Sequence, residues 1–175
     1  LLAYIASIPA ANWLIQHVGT VCVPNGPCLV PVAPGFNGPL MAPSGVLMVG
    51  LALVLRDLVQ RRLGALAGLG AIVLGTGLSA MLAPPALVMA SAIAFLISEL
   101  ADFAVYTPLQ KRGLLLAVIA SSMVGLVVDS LAFLWLAFGS LEFLAGQIVG
   151  KALMVLATVP AIEWLRRRDR RLGWV

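Results

Sequence analysis

The segment Ser98–Gln110, SELADFAVYTPLQ, decides how this chain folds. It closes an otherwise apolar run that begins near Pro85, and it sets Glu99 and Asp102 inside a stretch with the composition of a lipid-spanning helix. Two carboxylates three positions apart share one helical face. An ionised side chain facing hydrocarbon costs about 2.5–3.5 kcal/mol even on lenient insertion scales. The pair is therefore expected to face a helix bundle, a wet cavity or a ligand. Asp129 and Lys151 stand in the next two apolar runs, and these four ionisable residues form the expected functional core.

Outward from that segment, the composition fits a bilayer better than water. The chain is 62% hydrophobic and 10% charged, with a mean hydropathy of +1.08. A water-soluble domain carries about 25% charged residues. The apolar runs are long enough for helices of about 20 residues, and they are apolar on both faces, which excludes the alternation of barrel strands. The expectation is an all-α polytopic membrane protein with a single transmembrane domain over residues 1–175. Its first helix begins at or upstream of Leu1, without a cleaved signal peptide. The net charge of +4 does not point to nucleic acid, because the basic residues cluster at the ends of apolar runs.

Six spans are expected: Leu1–Val18, Pro43–Leu58, Leu63–Ala83, Pro85–Tyr106, Leu114–Phe138 and Phe143–Leu165. The second is short, and a tilted or partly re-entrant course would suit it. An uncharged Pro/Gly-rich linker, residues 19–42, separates the first two, and a basic tail, residues 166–175, closes the chain. With six spans, Arg56, Arg61, Arg62, Lys111, Arg112 and the tail arginines fall on one side, so both termini are expected in the cytoplasm. Gly64 with Gly68 and Gly146 with Gly150 are spaced for close helix packing. Ala117, Ser121 and Gly125 form a small-residue stripe that ends in Asp129.

Phe95, Glu99, Asp102 and Tyr106 form one stripe, with acids between aromatics. Gln147 and Lys151, four apart, face one way. At ~1.5 Å per residue, Asp129 and Lys151 lie about 10–15 Å below the outer surface, and Glu99 and Asp102 lie deeper. An Asp129–Lys151 ion pair that only clamps two helices is the plain reading. Against it, three intramembrane acids face one lysine, so one carboxylate must be protonated, solvated, or satisfied by Arg56 or a ligand. Arg56 and Asp57 read as an interfacial cap or a cytoplasmic gate. Asn12, Gln16, His17 and Trp13 mark the outer end of the first span. Cys22 and Cys28 flank an Asn25-Gly26-Pro27 turn, and the spacing leaves bridged and free thiols equally open. Neither a metal set nor a phosphate-cradling loop is present. A serine–lysine dyad of Ser130 or Ser122 with Lys151 can be drawn, but no enzyme site stands out. The linker is expected to fold back over the bundle as a lid.

Four segments, GLALVLRDLVQRRLG (Gly50–Gly64), ISELADFAVYTPLQ (Ile97–Gln110), SSMVGLVVDSLAFLWLAFG (Ser121–Gly139) and GQIVGKALMVLATVP (Gly146–Pro160), together resemble the vitamin uptake transporter family. The likeness runs from about Asn12 to Pro160. It implies a six-helix bundle like the substrate-binding subunits of energy-coupling-factor transporters, and uptake of a queuosine precursor, a deazaguanine in cyano or aminomethyl form. No cofactor and no nucleic-acid partner are implied; the lipid bilayer and a small solute are, in the inner or plasma membrane.

The residue chemistry suits such a ligand. A deazaguanine presents a ring N–H beside an exocyclic amine, which Glu99 or Asp129 can accept bidentately. Its flat ring can stack on Phe95, Phe133, Trp135 or Tyr106. Lys151, Gln147 or Asn12 can donate to its carbonyl, and Asp102 and Ser122 complete the expected polar set. Two alternatives stand beside this reading. One is an uptake subunit for another vitamin-like solute, energised by a separate ATPase module. The other is a membrane scaffold with no solute.

Overall fold

A computed structural model describes residues 1–23, 26–35 and 38–171, without the side chain of residue 170. Among these residues there are six α-helices: α1 (Leu2–His17), α2 (Val46–Leu63), α3 (Ala65–Leu82), α4 (Val88–Leu109), α5 (Leu114–Phe138) and α6 (Leu144–Arg171). A 3₁₀ turn, Pro85–Leu87, leads into α4. Four segments, Ala65–Leu82, Pro85–Leu109, Leu114–Phe138 and Leu144–Asp169, are long and apolar enough to cross a membrane. The other two helices differ for separate reasons. α1 has 16 residues, about 24 Å at ~1.5 Å per residue, and α2 carries Arg56, Asp57, Arg61 and Arg62.

The breaks between helices follow local chemistry. Gly139 ends α5 in the left-handed conformation, which glycine adopts without steric cost. Gly64, at φ +90°, turns α2 directly into α3. This corrects the expectation that Gly64 and Gly68 form one packed face: Gly64 is the hinge of the turn, and Gly68 alone packs, against Gln60. The second helix also runs later than expected, from Val46 to Leu63. The basic tail is not a separate segment, since α6 continues through it to Arg171. There Asp169 is buried and pairs with Arg61 at 3.1 Å and Arg62 at 2.6 Å, tying the ends of α2 and α6 together.

The linker between α1 and α2 is not an irregular loop. It holds a three-stranded antiparallel sheet in the order β1 (Val21–Cys22), β2 (Cys28–Ala33), β3 (Leu40–Pro43). Cys22 pairs with Cys28 in register and the two are joined by a disulfide. The Asn25-Gly26-Pro27 turn lies partly outside the described residues. β2 and β3 pack on α6. Gly146 makes this approach feasible, because a Cβ there would collide with the Met41 carbonyl, and at Gly150 it would press on Val46 and Val32.

Polarity is turned inside out. Leu66, Val73, Met81, Met89, Leu156 and Trp135 are exposed on the outer surface. Arg56, Asp57, Gln60, Glu99, Asp102, Gln147 and Lys151 are buried. Apolar clusters flank this polar interior. One joins Leu53, Tyr106, Val118, Leu126 and Val155; the other joins Tyr4, Ile8, Val59 and Phe95. Such an arrangement is stable where the surrounding solvent is lipid.

Candidate functional site

Two charged clusters lie in the interior. The first is built on Arg56 of α2, which is fully buried. Its Nη2 lies 2.9 Å from Asp57 Oδ1 and 2.9 Å from Asp102 Oδ1. Its Nε donates to Glu99 Oε2 at 3.1 Å, and its Nη1 donates to Gln60 Oε1 at 2.8 Å. Gln60 donates in turn to Thr107 Oγ1, and Ser121 donates to Asp57 Oδ2 at 2.9 Å. The rings of Phe103 and Tyr106 lie 5.7 and 5.8 Å from the guanidinium carbon, within the range of cation–π attraction. One planar fork thus engages three carboxylates and an amide, a task suited to guanidinium geometry.

The expected pairing of Arg56 with Asp57 is present, but both are fully buried and joined to the α4 acids, so they do not form an exposed interfacial cap. Among the described residues, four acids and two cations form these two clusters, where three acids and one lysine were expected. The helical stripe on α4 explains the convergence: Phe95, Glu99, Asp102 and Tyr106 are all buried on one face. On α5 the stripe Ala117, Ser121, Gly125 and Asp129 is likewise buried. A Cβ at Gly125 would press on Leu53 and Asp102, so the glycine lets α5 sit against the cluster.

The second cluster joins α5 and α6. Lys151 Nζ donates to Asp129 Oδ2 at 2.6 Å, to Ser130 Oγ at 2.8 Å and to Gln147 Oε1. All three ammonium hydrogens are used. Ser98 Oγ lies 3.4 Å from Asp129 Oδ1. Ser130 donates its own hydrogen to Leu126 O, and Lys151 is shared between Ser130 and Asp129.

A cavity opens beside this second cluster. Asn12, Phe95, Asp129, Phe133, Gln147 and Lys151 are on its wall, with Ser7, Ile8, Val49, Ser79 and Ser91 completing the lining. The cavity volume is about 80 Å³, smaller than the ~150 Å³ that holds a benzene ring, so a bicyclic solute enters only as the cavity widens. Pro43 and Gly45, where β3 runs into α2, close part of the rim.

Six of the ten residues expected at a substrate site therefore come together on one wall. Glu99 and Asp102 point instead to Arg56. Ser122 is buried without a hydrogen-bond partner and away from the cavity wall. Trp135 is 64% exposed and faces outward, which removes it from the stacking set. Tyr106 sits beside Arg56 rather than beside the cavity. Sequence reasoning missed Tyr4, Ser7, Ile8, Ala11 and Ile15 of α1, although their spacing of three and four marks a buried face. Asp169 was also missed, because its partners are 107 and 108 residues away.

A family model described as "Putative vitamin uptake transporter" matches residues 78–165, half of the chain. The match takes in Glu99, Asp102, Asp129 and Lys151. Comparison with curated proteins and with solved structures gives no match.

Proposed function

The chain belongs to the vitamin uptake transporter family, and on that footing we propose that it takes up a queuosine precursor, 7-cyano- or 7-aminomethyl-7-deazaguanine, through the cavity at Asp129 and Lys151. One observation carries the reading: an aspartate–lysine pair faces a cavity that also presents the rings of Phe95 and Phe133. Asp129 accepts the adjacent N–H groups of the guanine-like edge. To do so it gives up Lys151, which keeps Ser130 and Gln147 as partners and turns its freed hydrogen to the ligand carbonyl. The two phenylalanines supply apolar contact to the ring faces.

In this reading all six helices cross the membrane and both termini are cytoplasmic. The basic residues outside the interior, Arg61, Arg62, Lys111, Arg112 and the α6 arginines, lie near helix ends assigned to one face. The chain is one transmembrane domain. The disulfide-stapled sheet borders the cavity through Pro43 of β3, and an oxidised pair suits an extracytoplasmic location. The bridged sheet also gives the linker the fixed shape that a lid needs.

Asp129→Asn and Lys151→Met test the site. Each is expected to abolish the thermal shift that either deazaguanine gives the purified protein, and to reduce uptake at least tenfold, a loss of about 1.4 kcal/mol. A shift produced equally by guanine and unrelated vitamins, or undiminished in both variants, would reject the assignment. No shift with any solute in the screen would leave a scaffold role as the better account.

A further inference from the structure

The transport reading leaves the Arg56 cluster without a task. Arg56, Asp57, Glu99 and Asp102 would together carry a charge of −2 if every carboxylate were ionised, deep in a helix bundle. The Asp129–Lys151 pair is neutral and cannot offset this. Low-dielectric surroundings do not tolerate two uncompensated negative charges, and a carboxylate so placed takes a proton instead.

A second observation stands apart from this charge count. The Tyr4 hydroxyl is fully buried and without a hydrogen-bond partner, and it lies in the field of Glu99, Arg56 and Asp102. Gly75 leaves the room for it, since a Cβ there would meet Tyr4 Oη and Phe95. A buried hydroxyl is rarely left unpaired, and this one stands ready to serve a carboxyl group that changes its protonation. Tyr106, one turn beyond Asp102 on α4, has a second buried hydroxyl without a partner, in the field of Asp57 and Arg61.

We propose that the Arg56 cluster is a proton-binding site that couples uptake to the transmembrane proton gradient, with Glu99 as the carrier. Position singles out Glu99: it accepts a hydrogen bond from Arg56 Nε at 3.1 Å and, of the two α4 acids, lies nearer the cavity wall along the helix. It is one turn along α4 from Phe95 on the cavity wall, and it follows Ser98, which touches Asp129. The groups acting on it are Tyr4 on α1, Arg56 and Asp57 on α2, Asp102 on α4 and Asp129 on α5, with Lys151 of α6 held behind Asp129; α3 contributes no titratable side chain. A ligand that splits Asp129 from Lys151 changes the field at Glu99, which links solute to proton. The proton arrives on the Glu99 carboxylate from the outer side and leaves to the cytoplasm, and no other bond changes.

The coupling rests on the transport reading, so the test separates the two. Protein reconstituted in liposomes is loaded with 7-cyano-7-deazaguanine for counterflow, then given an imposed pH gradient. With acid outside, accumulation is expected to rise about tenfold per pH unit for one-to-one coupling. Glu99→Gln keeps counterflow and loses the response, whereas Glu163→Gln, on the cytoplasmic part of α6, behaves as wild type. Intact counterflow with accumulation that ignores the pH gradient, or follows sodium instead, overturns the coupling and spares the solute. Counterflow that fails with both deazaguanines strikes the solute assignment alone. Proton binding is then read without solute, by the infrared carbonyl band of a protonated carboxyl group in the purified protein. The titrating part of that band should be present in the wild type and lost in Glu99→Gln. A band absent throughout, or unchanged in Glu99→Gln, Asp57→Asn and Asp102→Asn alike, overturns the proposal.

Discussion

Arg56 organises more of the interior than any other single side chain. Its Nε, Nη1 and Nη2 reach Glu99, Gln60, and Asp57 with Asp102. A lysine at this position keeps the charge but concentrates it at one point, with three donors in place of five. Arg56→Lys is therefore expected to leave at least one carboxylate unserved. Breaking a buried pair costs about 3–5 kcal/mol, so the thermal midpoint in detergent should fall clearly and uptake should drop at least tenfold. Wild-type midpoint and uptake in this variant would show that charge alone suffices. The sequence misled here for a definite reason. Arg56 lies close to Arg61 and Arg62, and three arginines near the end of an apolar run read as a membrane boundary. Only the acids of α4 meeting that face turn Arg56 into an interior residue.

Among the elements, α4 and α5 were legible and the sheet was not. A helix repeats every 3.6 residues, so the acids and aromatics of α4, and the small residues leading to Asp129 on α5, could be assigned to single faces by counting. The strands gave no such signal. Pro31 sits within β2, the central strand, and Pro43 ends β3, and proline argues against a paired strand. The sheet accepts Pro31 because β1 reaches only Cys28 and Leu29, and because the register shifts between Pro31 and Ala33. The seat of this sheet can be tested at Gly146. Gly146→Val should push β3 off α6 and weaken deazaguanine binding, with the helical circular dichroism of the wild type retained. Unchanged affinity would mean that the sheet does not shape the cavity.

At the scale of the whole molecule, the apolar exterior and charged interior fix the solvent as lipid, and charge near the helix ends predicts the proposed orientation. In a background with Cys22 and Cys28 replaced by serine, Ser140→Cys is expected to react with a membrane-impermeant maleimide on intact cells. Lys111→Cys should react only after permeabilisation; the opposite pattern would overturn the proposed orientation, and both sites reacting alike would overturn the six-span topology. Composition, run length and helical spacing alone determined the membrane class, the approximate limits of the six helices, and which residues share a face with Glu99, Asp129 and Lys151. These are local properties, set by a side chain's transfer energy and its angle about one axis. Which faces meet is not local. Arg56 with the α4 acids, Asp169 with Arg61 and Arg62, and β3 against Gly146 were decided only by tertiary packing, because each joins distant segments whose separate patterns carry no mark of the partner.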